Sequence, residues 1–542
     1  MDARTLAATI RSRGREALVR RFGIDARALA AFRIAVGLLL FADLLLRARS
    51  LRAFYTDAGV LPRSVLAELY PGFARLSLHA VSGSVAVQAL LFAVAGAAAL
   101  ALAVGYRTRT ATVVSWLLLV SLHARNPVVL NGGDSMLQRL LFWSMFLPLG
   151  ARWSVDAVRA LPGDDDAGPA DRTTDADSGD RATDPAPADR EDDVAGGRTV
   201  VGVATAALLV QVVTVYVVNA VFKLRGEAWP AGEAVRYVFS LEQFTVLLGD
   251  ALAGSPELLT AITWTWLALL ISSPLLLAFA GRPRTVHAAL FAGMHLGMAL
   301  TMRLGLFPII SAVAFLPFLP PSVWDAAERR ARALARRFDT APLARLDRAL
   351  PGGGGRPRFP ASREVLPRVA SRWARRLVTL LVVVALVGSL SYNAASLGYV
   401  DPPDPAASVV EEHGWTMFAP SPPRTDAWVV VPGRLASGEE VDAFHRSSVT
   451  WDPPDVAATY PTARWRKYLT NLRWRDHDGL RRGFASYLCG RWNDDHQDRL
   501  VAVELYVVEQ PTRFDGPEPT ERVLLAAYDC AATGPTPGGG GR

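Results

Sequence analysis

Residues 199–224 read TVVGVATAALLVQVVTVYVVNAVFKL, an apolar run closed by a lysine. A helix rises about 1.5 Å per residue, so a run of this length crosses the roughly 30 Å hydrocarbon core of a bilayer. Gln211, Tyr216, Asn219 and Lys223 recur at spacings of three, four or eight and fall near one face, which is therefore polar. Of the 58 Lys and Arg residues only Lys223 and Lys467 are lysines, so a lysine here is an uncommon choice of positive charge. Arginine keeps its proton in proteins, whereas a lysine sheltered from water can give it up and act as a base. The competing reading is that Lys223 sits near an interface and extends its stem to water.

The 542-residue chain has a mean hydropathy of +0.21 and 51% hydrophobic residues, distributed in several long runs. This excludes an ordinary soluble enzyme and predicts an all-α polytopic membrane bundle with a small C-terminal α+β extracytoplasmic domain. About nine transmembrane helices are expected, at 28–46, 84–104, 110–124, 131–150, 199–224, 258–280, 286–304, 306–320 and 377–395. The fourth is short and carries Arg139, so it reads as a short span or a re-entrant one. The net charge of +7 is unevenly spread: the last 150 residues or so hold more Asp and Glu than Arg, while the connecting loops hold the excess arginine. That asymmetry speaks of orientation.

Residues 1–27 are arginine-rich without a signal-peptide core and are expected to be cytoplasmic. The bundle is expected over 28–320, interrupted by an acidic loop at 160–198 whose Asp, Pro, Ala and Gly composition reads as disordered. A basic cytoplasmic loop follows at 321–376, where DAAERRARALARRFD (325–339) reads as a surface helix against anionic headgroups. After the last span, 396–542 is expected outside the cell membrane, with the N-terminus inside. The outer region holds Cys489 and Cys530, which could form one disulfide in an oxidising compartment.

Within that region WVVVPGRL, ASGEE and VDAF (428–444) read as a hairpin, ARWRKYLTNL (463–472) and GLRRGFASYLC (479–489) as helices, and LVAVELYVVE (500–509) and RVLLAAYDC (522–530) as strands. Basic and aromatic residues mix in ARWRKYLTNLRWR, but Trp465, Tyr468, Leu469 and Leu472 make a packing face, so no nucleic-acid partner is expected.

The predicted topology gathers Lys223, the NGGDS turn (131–135), RLGLFP (303–308) and His295 toward one outward-opening pocket. Gly293 and Gly297 flank His295 and would allow close helix approach. A lone histidine in a span also serves simply as a hydrogen-bonded member of the bundle. Arg33 and Asp43, ten residues apart on the first span, cannot pair along one helix and are assigned structural roles. No metal-ligand spacing, Walker-type glycine loop or hydrolase constellation is present.

In order and spacing these motifs resemble the HTTM (horizontally transferred transmembrane) domain proteins and the related vitamin K-dependent gamma-carboxylase. The resemblance covers roughly 28–320: FRIAVGLLLFAD with Arg33 and Asp43, GYR (105–107), RWSVD (152–156), VYVVNAVFKL ending at Lys223 and Leu224, Trp229, His295 and GLFP (305–308). It implies a reduced naphthoquinone of the vitamin K or menaquinone type as cofactor and no metal. It also implies oxygen-dependent quinol epoxidation coupled to carboxylation of a glutamate-containing protein substrate, a lyase-type activity. Lys223 would be the catalytic base and His295 a catalytic pocket residue, with Asn131, Asp134, Tyr216, Asn219 and Trp229 lining the pocket. One position departs: Asp134 stands where the carboxylases carry a histidine after two asparagines, and an anion there would repel a carbanion. The alternative is a non-catalytic membrane protein whose outer domain binds a partner or lipid.

Overall fold

The computed structural model describes residues 3–159, 199–335, 368–401, 416–454, 460–475 and 477–531. The expected acidic loop at 160–198, and most of the basic loop expected at 321–376, lie outside the described residues. Helix dominates, with one small sheet near the C-terminus.

The main helices are α1 (Ala3–Phe22), α2 (Ala26–Ala48), α3 (Val85–Val104), α4 (Thr108–Arg125), α5 (Gly132–Ser144), α6 (Val203–Leu224), α7 (Ala234–Phe239), α8 (Pro256–Ser272), α9 (Arg282–Thr301), α10 (Phe307–Val313), α11 (Pro321–Ala335) and α12 (Arg368–Ser396). Their ends carry local signals. Asp25 caps α2 by accepting from the Arg27 amide, Ser84 caps α3 by accepting from Val87, and Gly105 closes α3 in the left-handed region. Asn131 and Asp134 form a reciprocal capping box at the start of α5.

The expectation of nine spans does not hold. Among the described residues, α2, α3, α6 and Trp373–Ser396 of α12 are long and apolar enough to cross a membrane, making four. A fifth is reached only if Phe307–Phe318 and Pro321–Leu334, bent by 107°, count as one. The other apolar runs fold into shorter or more polar pieces: α5 has 13 residues, α8 has 17, and α9 carries Arg282, Arg284, His287 and His295. A 13-residue helix is about 20 Å long, well short of the hydrocarbon core.

The C-terminal region contains β3 (Thr425–Val430), β4 (Pro432–Leu435), β5 (Glu440–Asp442), β6 (Leu500–Pro511) and β7 (Glu521–Asp529), with helices α13 (Ala463–Trp474) and α14 (Asp478–Asp495). Two short strands precede them, β1 (Ile24–Asp25) and β2 (Thr199–Val200), paired with each other. In the five-stranded antiparallel sheet β6 is the axis. Its C-terminal half pairs with β3, its start pairs with β4, β7 lies on its other side, and β5 closes a hairpin on β4. Cys489 of α14 and Cys530, just past β7, are joined in a disulfide with Cα atoms 5.7 Å apart.

The core of this region does not stop at its own elements. Phe54, Tyr55, Val60 and Leu61, from FYTDAGVLP between α2 and α3, are fully buried in the same cluster as Trp465, Tyr468 and Phe484. The Phe54 and Trp465 rings lie 4.7 Å apart, and a Cβ at Gly483 would come within 2.7 Å of the Val60 carbonyl. The loop thus welds the C-terminal region to one end of the bundle, the end that carries the last turn of α6.

Candidate functional site

The polar face of α6 is buried, and the C-terminal region supplies its partners. Lys223 Nζ donates to the Met417 carbonyl at 2.8 Å and lies 3.6 Å from the centre of the Trp229 ring. Asn219 Nδ2 donates to the Thr416 carbonyl at 3.0 Å, and Trp229 Nε1 to the Phe418 carbonyl at 2.9 Å. Three successive carbonyls therefore face three donors from the end of α6 and the turn after it. Successive carbonyls in an extended chain alternate in direction and would not all face the same side. Here Met417 and Phe418 hold φ values of 34° and 64°, a left-handed pair that costs about 1–2 kcal/mol per residue and persists because its carbonyls are held. The segment TMFAP (416–420) seals Lys223, which is 1% exposed.

Glycine makes this approach possible. A Cβ at Gly226 would stand 2.0 Å from the Pro420 carbonyl oxygen. At Gly132 and Gly133 of the NGGDS turn, the Met417 sulfur and the Phe307 backbone would lie 3.2 and 2.9 Å from an added Cβ. The NGGDS turn, the start of α10 and the TMFAP segment thus meet at one place.

His295 is buried on α9 and shares a 2.9 Å hydrogen bond between its Nε2 and the Tyr216 hydroxyl. Rings of Trp266, Phe307 and Phe315 surround it, and its Nδ1 has no hydrogen-bond partner among the described residues. Tyr216 precedes Lys223 by seven residues, about 10 Å along the helix, so the structure puts the imidazole two turns below the amine rather than against it. The expectation for Gly293 and Gly297 is corrected: an added Cβ at either would meet nothing within 4 Å, so neither brings a helix close.

Asn131 and Asp134 do not touch Lys223. Asn131 Oδ1 accepts from the amides of Gly133 and Asp134. Asp134 belongs to a buried group of two carboxylates and two guanidiniums. Arg47 donates to Asp43 and to Asp134 at 2.6 Å each, and Arg464 of α13 donates to Asp43 at 2.5 Å and to Asp134 at 3.1 Å. Burial opposes the charge on Arg464, but Asp134 and Asp43 outweigh it and hold its pKa above the ordinary value. Arg33 goes elsewhere, donating to the carbonyls of Leu149, Arg152 and Trp153 and so fixing the RWSVD turn.

Three participants carry no functional signal in the sequence: Arg47, Arg464 and the Thr416–Phe418 backbone. Arg464 precedes Trp465, the first residue of the packing face of α13, and reads as an exposed flank. Backbone acceptors leave no mark in residue identity at all.

Among the described residues no group of three or more His, Cys, Asp or Glu is placed to hold a metal ion. A cavity of about 200 Å³ lies beside Thr205 and Val382, at the far end of α6 from Lys223. Comparison with protein-family models, with curated proteins and with solved structures found no match for the chain.

Proposed function

We propose that the chain is a multi-pass membrane enzyme in which Lys223 acts as base toward the hydroxyl of a reduced naphthoquinone, in the manner of the HTTM and gamma-carboxylase proteins it resembles. One observation carries this reading. A primary amine is buried at the end of an apolar helix against a carbonyl and an indole face, with no carboxylate paired to it among the described residues. An ammonium there has no counter-ion among the described residues, whereas the free amine has a lone pair for a phenolic proton.

The donor set suits a flat phenolic ring. Release of the Thr416 and Met417 carbonyls would free Asn219 and Lys223 to hold it at the polar end beside the Trp229 ring, and the Nδ1 of His295, without a partner among the described residues, lies deeper among aromatic walls. When bound, the reduced naphthoquinone supplies, with oxygen, the strong base that glutamyl carboxylation requires. The chain contributes a proton acceptor at Lys223 Nζ, water exclusion by the TMFAP segment, and an imidazole fixed by Tyr216. Asp134 is neutralised by Arg47 and Arg464, which weakens the electrostatic objection to a carbanion nearby.

A second reading has its own support. All three polar donors of the site are used to hold Thr416–Phe418, as an anchor for a non-catalytic outer domain would require. Membranes containing the wild type, Lys223→Ala or Lys223→Arg, supplied with reduced naphthoquinone and oxygen, separate the two. Epoxide formed by the wild type and lost in both variants supports the enzyme, and a wild type that forms none leaves the anchor.

A further inference from the structure

At the opposite end of the bundle, α9 begins at Arg282 and places Arg284 in its first turn. Arg284 is only 4% exposed. Its Nη1 donates to the Arg21 carbonyl at 2.8 Å and its guanidinium lies 4.9 Å from the centre of the Phe318 ring. Its Nε and Nη2 have no hydrogen-bond partner, and no carboxylate lies within ion-pair distance of it among the described residues. Its neighbours add positive charge: Arg20 and Arg21 end α1, and the exposed Arg282 sits two residues earlier at the helix N-terminus, where the positive end of the helix dipole adds to it although Pro283 offers no amide. Arg27, by contrast, is answered by Asp25, Asp325 and Glu328.

A buried guanidinium with two unsatisfied donors is unfavourable unless an anion meets it. Arginine's planar fork matches phosphate oxygens, and a helix N-terminus favours the same charge. We infer that Arg284, with the N-terminal turn of α9 and the end of α1, forms a binding site for a phosphate group. An acidic phospholipid headgroup and free phosphate share this chemistry. The inference is independent of Lys223 and its proposed reaction.

Native mass spectrometry of the full chain tests it, using phosphatidylglycerol, phosphate-free diacylglycerol and inorganic phosphate as probes, with wild type, Arg284→Gln and Arg284→Lys. Wild type is expected to retain a phosphate-bearing probe at least tenfold more tightly than Arg284→Gln, with Arg284→Lys between them. Retention of phosphatidylglycerol that inorganic phosphate does not displace identifies the lipid source, and binding of inorganic phosphate alone identifies the soluble one. Equal retention by wild type and Arg284→Gln overturns the site. Should Arg284→Gln fail to fold, the wild type decides: no preference for phosphatidylglycerol over diacylglycerol, together with no phosphate bound, overturns it equally.

Discussion

Lys223 and Met417, 194 residues apart, are joined by a 2.8 Å hydrogen bond from the amine to a main-chain carbonyl. The bond makes the end of α6 and the TMFAP segment one unit, and it makes the conformation of that segment depend on a side chain in the bundle. Lys223→Met keeps the stem and removes the donor. Hydrogen exchange at residues 416–420 is expected to rise about tenfold, the effect of losing one such bond. Unchanged exchange would show that Asn219 and Trp229 hold the segment without it.

Gly226→Ala tests the same contact from the other side. The added Cβ meets the Pro420 carbonyl at 2.0 Å, which neither backbone can absorb in place. The segment must lift, at a cost of about 1–3 kcal/mol. A thermal midpoint within one degree of wild type would show that the turn after Lys223 relaxes freely.

Arg464→Met strips one cation from the group it forms with Arg47, Asp43 and Asp134. Removing one partner from buried ions costs about 3–5 kcal/mol, because the remaining carboxylates exceed the positive charge left to them. Arg464→Met combined with Asp134→Asn restores the charge count and should recover part of the loss. Thermal unfolding of the two variants and wild type reads this directly, and no recovery in the double variant would mean that shape rather than charge matters there.

Asp426 gives a pH dependence of defined sign. Burial raises its carboxyl to about 6, against the amides of Glu242 and Ala427 that donate to it. The folded carboxyl binds its proton more tightly than the unfolded one, so its contribution is fully present below about pH 4 and is lost as pH rises through about 6. The difference is at most about 3 kcal/mol. Asp426→Asn should flatten the stability profile between pH 4 and 6, and a wild-type profile without that slope would show the carboxyl to be hydrated.

The disulfide closes a separation of 41 residues between α14 and the end of β7. Cys530→Ser is expected to cost about 3–4 kcal/mol through the added freedom of the unfolded chain. Chemical denaturation with and without reductant measures it, and equal midpoints would remove the disulfide from the stability of the sheet.

Much of the helical layout is legible in hydropathy: α2, α3, α6 and the apolar part of α12 stand where their runs predict. The count of spans was not, because apolar composition does not report where a helix bends or stops, as Phe307–Phe318 does before turning into Pro321–Leu334. In the C-terminal region, period-two alternation marks β6 and β7, and the face of Trp465, Tyr468, Leu469 and Leu472 is buried as its spacing predicts. At the site, the rarity of lysine singled out Lys223. Its partners leave no mark in the sequence because they are carbonyls, and the pairing of Asp134 is not legible there because a capping aspartate and a pocket aspartate look alike until Arg47 and Arg464 are seen beside it.

The charge group around Asp134 also sets an order on biogenesis. Arg464 reaches Asp43 across 421 residues, so a nascent chain holding only the earlier helices carries two acids for one arginine at the place the complete chain buries. The bundle reaches electroneutrality there only after ribosomes have passed residue 464. Truncated products short of that point keep an excess anion at this end of the bundle, a defect that cellular quality control can recognise before any activity is tested.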